Sequence, residues 1–242
     1  MIDDWLRMID EIITKNIVLT LWLSLSFSLF GQDWPDLNHY RAHNAKLGLP
    51  GANENRIVFM GNSITEGWST VLPEYFSGKS YVNRGISGQT TPQMLVRFRA
   101  DVIDLKPKAV VILAGTNDIA GNTGPATVKM IADNIISMAE LARENNILVV
   151  ISSVLPVYDY SWKPGLEPVP KISKLNEIIK NYAVNHRHTY LDYYAAMVDD
   201  KKGLDEKYTS DGVHPNKAGY KVMTTLAEQA IAKTLDYARL KK

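Results

Sequence analysis

Short apolar runs alternating with segments of helical period constrain this chain more than any other feature. Ala109–Leu113 (AVVIL) and Ile57–Met60 (IVFM) contain no polar residue, the pattern of strands buried on both faces. Ser80–Asn83, Ile147–Val154 and His188–Asp192 read as three further strands. Between the strands, apolar residues recur at helical spacing. Met94, Leu95, Phe98, Val102 and Ile103 form one such series, and Val128, Ile131, Ile135, Met138 and Leu141 form a second within 125–145. Ile172, Leu175, Ile178, Ile179 and Tyr182 predict a helix over 171–185, and a last helix is predicted from Pro215 to about Leu235. This alternation implies an α/β fold: a three-layer α/β/α sandwich around a doubly wound, mostly parallel five-stranded sheet. In such sheets ligands bind outside the carboxyl ends of the strands.

The chain has 242 residues, enough for one domain with an N-terminal extension. Residues 1–31 read as a signal peptide or N-terminal anchor, 32–55 as a lead-in segment and 56–242 as the folded domain. The uncharged run 17–30, IVLTLWLSLSFSLF, is short for a membrane span and suits the apolar core of a secretory signal. Gly31 would then lie at the cleavage point. Asp3, Asp4, Asp10 and Glu11 stand against this, because they make the preceding segment acidic where signal peptides begin basic. The balance points to export, periplasmic or extracellular, with no stable membrane association after cleavage. The chain has no cysteine, which excludes disulfides, thiolate metal sites, a cysteine nucleophile and a lipid anchor through cysteine. A net charge of +1 supplies no electrostatic footprint for nucleic acid or an anionic membrane. Oligomeric state is left open.

The loops at the strand ends carry the chemistry. In RIVFMGNSITEG, the first apolar run turns at Gly61 into a helix start holding Ser63, Thr65 and Glu66. Taken alone, Ser63 reads equally well as a helix cap. The second strand ends in NRGISGQTT, where Gly85 and Gly88 let backbone N–H groups approach a ligand. The third runs into AGTNDIAGNTG with Asn117 and Asp118, and the last long loop, KYTSDGVHPNKAGY, holds Asp211 and His214. The fourth opens into LPVYDYSWKPGLEPVP, whose Tyr158, Tyr160 and Trp162 either line a ligand cleft or cover the core edge. His39 and His43, four apart, have the spacing of a partial zinc pair, but no third ligand completes it. His186 and His188 receive no role.

Ser63, Gly88, Asn117 and the Asp211/His214 pair each fall just past a strand's carboxyl end, so the loops converge on one crevice. They supply a hydroxyl nucleophile, a base, a carboxylate to orient the base, and donors for an oxyanion. The Ser63 turn is not the G-x-S-x-G elbow of the α/β-hydrolases, because Thr65 stands at its fifth position.

Four ordered blocks resemble the SGNH hydrolases, also called GDSL esterases: GNSIT at Ser63, ISGQT at Gly88, GTND at Asn117 and DGVHP at Asp211 and His214. They span Arg56 to about Lys221. The resemblance implies the flavodoxin-like three-layer fold of that superfamily, a catalytic domain over 56–242, and ester hydrolysis through a serine acyl-enzyme. It gives Ser63, Asp211 and His214 as catalytic residues. The backbone N–H groups of Ser63 and Gly88 and the Asn117 side chain would form the oxyanion hole. No metal or organic cofactor is needed. One position departs from the family pattern: the GDS block reads Gly61-Asn62-Ser63, with an amide for the carboxylate. The expected partner is a small-molecule or oligosaccharide ester, with a short acyl group on carbohydrate favoured. The alternatives are a lysophospholipase or other lipid acylhydrolase, transfer to an acceptor other than water, and a non-catalytic carbohydrate- or partner-binding module.

Overall fold

The computed structural model describes Trp5 and residues 33–239. The apolar run 17–30 lies outside the described residues. A first unit covers Met1–Trp34, and the compact unit considered from here on begins at Pro35.

Five parallel strands form one sheet: β1 (Ile57–Gly61), β2 (Tyr81–Gly85), β3 (Ala109–Leu113), β4 (Leu148–Ser152) and β5 (Thr189–Leu191), in the spatial order β2-β1-β3-β4-β5. Successive side chains point to opposite faces. Val58, Met60, Val110, Ile112, Val149 and Ile151 therefore enter one core, and Ile57, Phe59, Ala109, Val111, Leu113 and Val150 enter the other. This is why the strands read as unbroken apolar runs.

The helices close both faces. On the first lie α3 (Thr91–Asp101), α5 (Val128–Glu144) and α6 (Pro168–Asn185), which contribute Met94, Phe98, Ile131, Ile135, Ile172 and Leu175. On the second lie α2 (Ser63–Val71), α7 (Tyr193–Met197) and α8 (Lys217–Arg239), with Ile64, Trp68, Tyr193, Met197, Tyr220 and Met223. The predicted three-layer α/β/α fold is the fold observed. A short α1 (Arg41–Leu47) precedes β1, and α4 (Thr116–Ile119) follows β3.

Beyond shifts of one or two residues at strand ends, three details differ from the sequence expectation. The last helix begins at Lys217 rather than Pro215, because Pro215 forms an antiparallel bridge with Thr209. The Asn216 side chain then caps the helix by accepting from the N–H groups of Ala218 (2.8 Å) and Gly219 (3.1 Å). The α6 helix starts three residues early, with Pro168 in its first turn, where a missing N–H costs nothing. The lead-in segment contributes α1, although no residue of that helix is buried.

Register aligns the functional ends of the strands. Gly61 is paired with Gly85 of β2 and with Leu113 of β3. The turns that leave all three strands consequently sit side by side on one edge.

Candidate active site

The Ser63 turn is built from close contacts. A Cβ at Gly61 would lie 2.0 Å from Thr65 Oγ1 and 2.8 Å from the Leu113 carbonyl oxygen, so only glycine fits there. Asn62, 1% exposed, is the N-cap of α2, and its Oδ1 accepts from the Ile64 N–H at 3.0 Å. The amide does a carboxylate's capping work here without placing a charge beside the serine. Ser63 is the first residue of the helix.

Ser63 Oγ lies 2.9 Å from His214 Nε2, and His214 Nδ1 lies 2.7 Å from Asp211 Oδ2. A carboxylate on Nδ1 fixes the proton there, which leaves Nε2 as the acceptor for the serine hydroxyl. Asp211 and His214 are about two-fifths exposed, so water reaches the pair. Asp211 Oδ1 also accepts from the backbone N–H groups of Val213 (2.9 Å) and His214 (2.8 Å). Burial pushes the Asp211 carboxyl up, but the His214 N–H, the His214 ring and the Val213 N–H prevail and hold it at about 2. Thr209 Oγ1 ties the loop together, accepting from the N–H groups of Asp211 (3.2 Å) and Gly212 (3.0 Å) and donating to the His214 carbonyl oxygen (2.8 Å).

Gly88 and Asn117 meet at Gln89. Gly88 has φ +77°, a conformation that favours glycine, and its carbonyl accepts from Asn122 Nδ2 at 3.1 Å. Asn117 Nδ2 donates to the Gln89 carbonyl oxygen at 3.0 Å, which fixes one amide hydrogen. The second amide hydrogen, like the backbone N–H groups of Ser63 and Gly88, has no acceptor among the described residues. These are the three groups that the family resemblance implies as oxyanion donors.

The aromatic loop divides. Trp162 is about half exposed, and its ring stacks on His214 with centroids 6.4 Å apart. Tyr158 is exposed. Tyr160 anchors the loop to the core and still lies at the cleft wall. It is fully buried, its hydroxyl lies 2.9 Å from both Thr116 Oγ1 and the Thr116 carbonyl oxygen, and its ring supports Trp162 at 5.3 Å. Beside Trp162 a cleft of about 340 Å3 is lined by Tyr158, Asp159, Tyr160, Asp199, Lys201 and Gly212.

His39 and His43 do not share a helix face, because α1 starts at Arg41 and leaves His39 outside it. His39 Nδ1 lies 3.0 Å from Asp36, whereas His43 Nδ1 accepts from Arg84 Nη2 at 2.9 Å. Among the described residues no group of three His, Asp or Glu side chains is placed to hold a metal ion.

Sequence reasoning missed Asp118, read only as a turn former. Its buried carboxylate accepts from the Thr91 N–H and, at 2.5 Å, from the Thr91 hydroxyl, so it joins the Asn117 loop to the start of α3. Burial raises its pKa, and the bonds from Thr91 oppose the shift. The signal was the Thr90–Gln93 capping box, which marks a helix start directly beneath the glycine loop.

Residues 59–222 match the family model described as the GDSL-like lipase/acylhydrolase family. The chain is 49% identical to a Bacteroides fragilis protein of solved structure, provisionally named an acylhydrolase. That match covers 84% of this chain and 99% of the other, with a TM-score of 0.82. It is also similar to lipoprotein YqeF of Bacillus subtilis, at 30% identity over 49% of this chain. An acetylxylan esterase of Xylanibacter ruminicola is 23% identical over 76% of this chain. The matches span 56% and 45% of those two relatives' own lengths. By its family match and by the four blocks at Ser63, Gly88, Asn117 and Asp211–His214, the chain belongs to the GDSL-like lipase/acylhydrolase family of SGNH hydrolases.

Proposed function

We propose that this protein is a serine esterase that cleaves a short acyl group, acetyl in the first instance, from a carbohydrate. The observation that carries the reading is the hydrogen-bonded series from Ser63 Oγ through His214 to Asp211, at 2.9 and 2.7 Å. Ser63 Oγ attacks the ester carbonyl while His214 Nε2 takes its proton. The Ser63 and Gly88 N–H groups and the Asn117 amide hold the tetrahedral oxyanion. The alcohol leaves with the proton from His214, giving an acyl-Ser63 ester. Water, deprotonated by His214, repeats the attack and releases the acid. Asp211 keeps the imidazole in the right tautomer and stabilises its protonated form.

The carbohydrate assignment is supported by the exposed Trp162 and Tyr158, whose flat rings suit a sugar face, beside a cleft edged by Asp159, Asp199 and Lys201. The acetylxylan esterase among the relatives points the same way. The apolar run 17–30, with a lipoprotein among the relatives, supports action outside the cytoplasm.

The test is hydrolysis of p-nitrophenyl esters of rising chain length, and acetate release from acetylated xylo-oligosaccharide, by wild type and Ser63→Ala. Acetate should be the preferred acyl group, with activity lost in the variant. A preference for long chains would move the reading to a lipid acylhydrolase. A well-folded wild type no faster than Ser63→Ala on every ester would leave a binding module.

A further inference from the structure

Arg97 of α3 has no exposed surface, yet its guanidinium makes four hydrogen bonds. Nε donates to Gln89 Oε1 at 2.6 Å and Nη1 to Asp101 Oδ2 at 2.9 Å. Nη2 donates to the carbonyl oxygens of Gly61 (3.0 Å) and Arg84 (2.9 Å). These partners belong to separate parts of the chain. Gly61 ends β1 two residues before Ser63, and Arg84 lies at the end of β2. Gln89 follows Gly88, and its carbonyl receives the Asn117 amide.

The ion pair with Asp101, one helical turn away, uses only one edge of the guanidinium. A buried pair of this kind is weak evidence for a stabilising role, since desolvation offsets most of its attraction. The remaining donors all go to the segments that present the oxyanion donors. A planar fork can hold such divergent acceptors at once, which a lysine ammonium on a flexible stem cannot.

We propose that Arg97 is a positioning residue that fixes the Ser63 N–H relative to the Gly88 and Asn117 donors. The inference rests on the esterase reading above. It assigns the alignment of the oxyanion hole to a side chain that touches neither substrate nor the Ser63–His214–Asp211 series. Gln89 is its relay, because the residue accepts from Arg97 through its side chain and from Asn117 through its backbone.

The experiment compares kcat and KM on p-nitrophenyl acetate for wild type, Arg97→Lys, Gln89→Met, Asn117→Ala and the Arg97→Lys/Asn117→Ala double variant, with Ser63→Ala as the blank. Arg97→Lys keeps a positive charge for Asp101 but loses the fork. Its kcat should fall about 10–100-fold, the scale of a small misplacement in an active site, with KM within about twofold. The pH profile should keep its shape, because the acid and base stand on another loop. In the Asn117→Ala background the further loss from Arg97→Lys should shrink to about threefold or less, since groups acting as a unit are not additive. A folded Arg97→Lys with wild-type kcat, or an equal loss in both backgrounds, would overturn the proposal. Should Arg97→Lys fail to fold, Gln89→Met decides, because it leaves the Arg97–Asp101 pair and the Gly61 bond in place. The same fall in kcat supports the role, and an unchanged kcat overturns it. Wild type indistinguishable from Ser63→Ala would sink the esterase reading, and the role of Arg97 with it, whereas an active wild type beside an unaffected Arg97→Lys sinks the latter alone.

Discussion

Trp162 lies against His214 with ring centroids 6.4 Å apart and ring planes 29° from parallel. The arrangement sets the indole beside the imidazole and leaves about half of Trp162 exposed. Trp162→Ala should raise KM for acetylated xylo-oligosaccharide by about 2–10-fold, matching an aromatic contact of about 0.5–1.5 kcal/mol. Trp162→Phe should retain most of the affinity. Initial-rate kinetics on the oligosaccharide check this, and an unchanged KM would remove Trp162 from the binding surface.

Asp211 binds its partners only as a carboxylate. Its pKa is depressed to about 2 in the folded protein, against about 3.9 in an unfolded chain, so the unfolded state takes up protons first as pH falls. The stabilisation is complete above about pH 4 and is lost as pH drops towards 2. Thermal melts of wild type and Asp211→Asn between pH 6 and pH 2 should therefore differ most at the upper end and converge at the lower. The same variant should lower kcat by about 10³–10⁴-fold at neutral pH through loss of the correct tautomer.

His188 supplies a pH dependence of opposite origin. Burial, followed by the charges of His186 and Arg143, pushes its pKa down to about 4, and Nε2 has no hydrogen-bond partner among the described residues. The unfolded chain protonates this residue near pH 6.5 and the folded one does not, so stability falls as pH drops from about 6.5 to 4 and levels off below. His188→Phe should flatten the melting temperature across that window. Parallel slopes for the two proteins would show that other groups carry the effect.

Gly61→Ala places a methyl group 2.0 Å from Thr65 Oγ1 and 2.8 Å from the Leu113 carbonyl oxygen. Overpacking of this kind costs about 1–3 kcal/mol, to be read from denaturant titration. Adding Thr65→Ala should recover only part of the loss, because the second clash is with backbone.

The sheet was legible because each buried strand is apolar on both faces and each helix carries its own period. The Asp211/His214 pair was legible because it is local: only Gly212 and Val213 stand between the two, and one turn orients both. The aromatic loop was not, since nothing in its irregular sequence distinguishes Tyr160, which turns inward to Thr116, from Trp162, which turns out over His214. Arg97 was hidden for a different reason. Its place between Met94 and Phe98 puts it on the buried face of α3 with Asp101 one turn on, but its other three hydrogen bonds go to Gly61, Arg84 and Gln89, which the helix pattern does not reveal. The start of α8 was misjudged because the Thr209–Pro215 bridge is a tertiary choice that helix propensity does not record.

Asp211 and His214 share one loop, cinched by Thr209 and anchored at Asn216, while Ser63 stands 151 positions before His214 in the chain. Local chain geometry secures the Asp211–His214 contact wherever that loop goes. The separation between Ser63 and His214 depends on long-range contacts, among them the Tyr220 hydroxyl donating to the Ile64 carbonyl oxygen at 2.8 Å, and on the packing of the domain. On the proposed mechanism, catalytic turnover acts as a strain gauge for a long-range distance: a perturbation that lets the sheet edge and the loop drift apart should silence the enzyme before Asp211 and His214 part company.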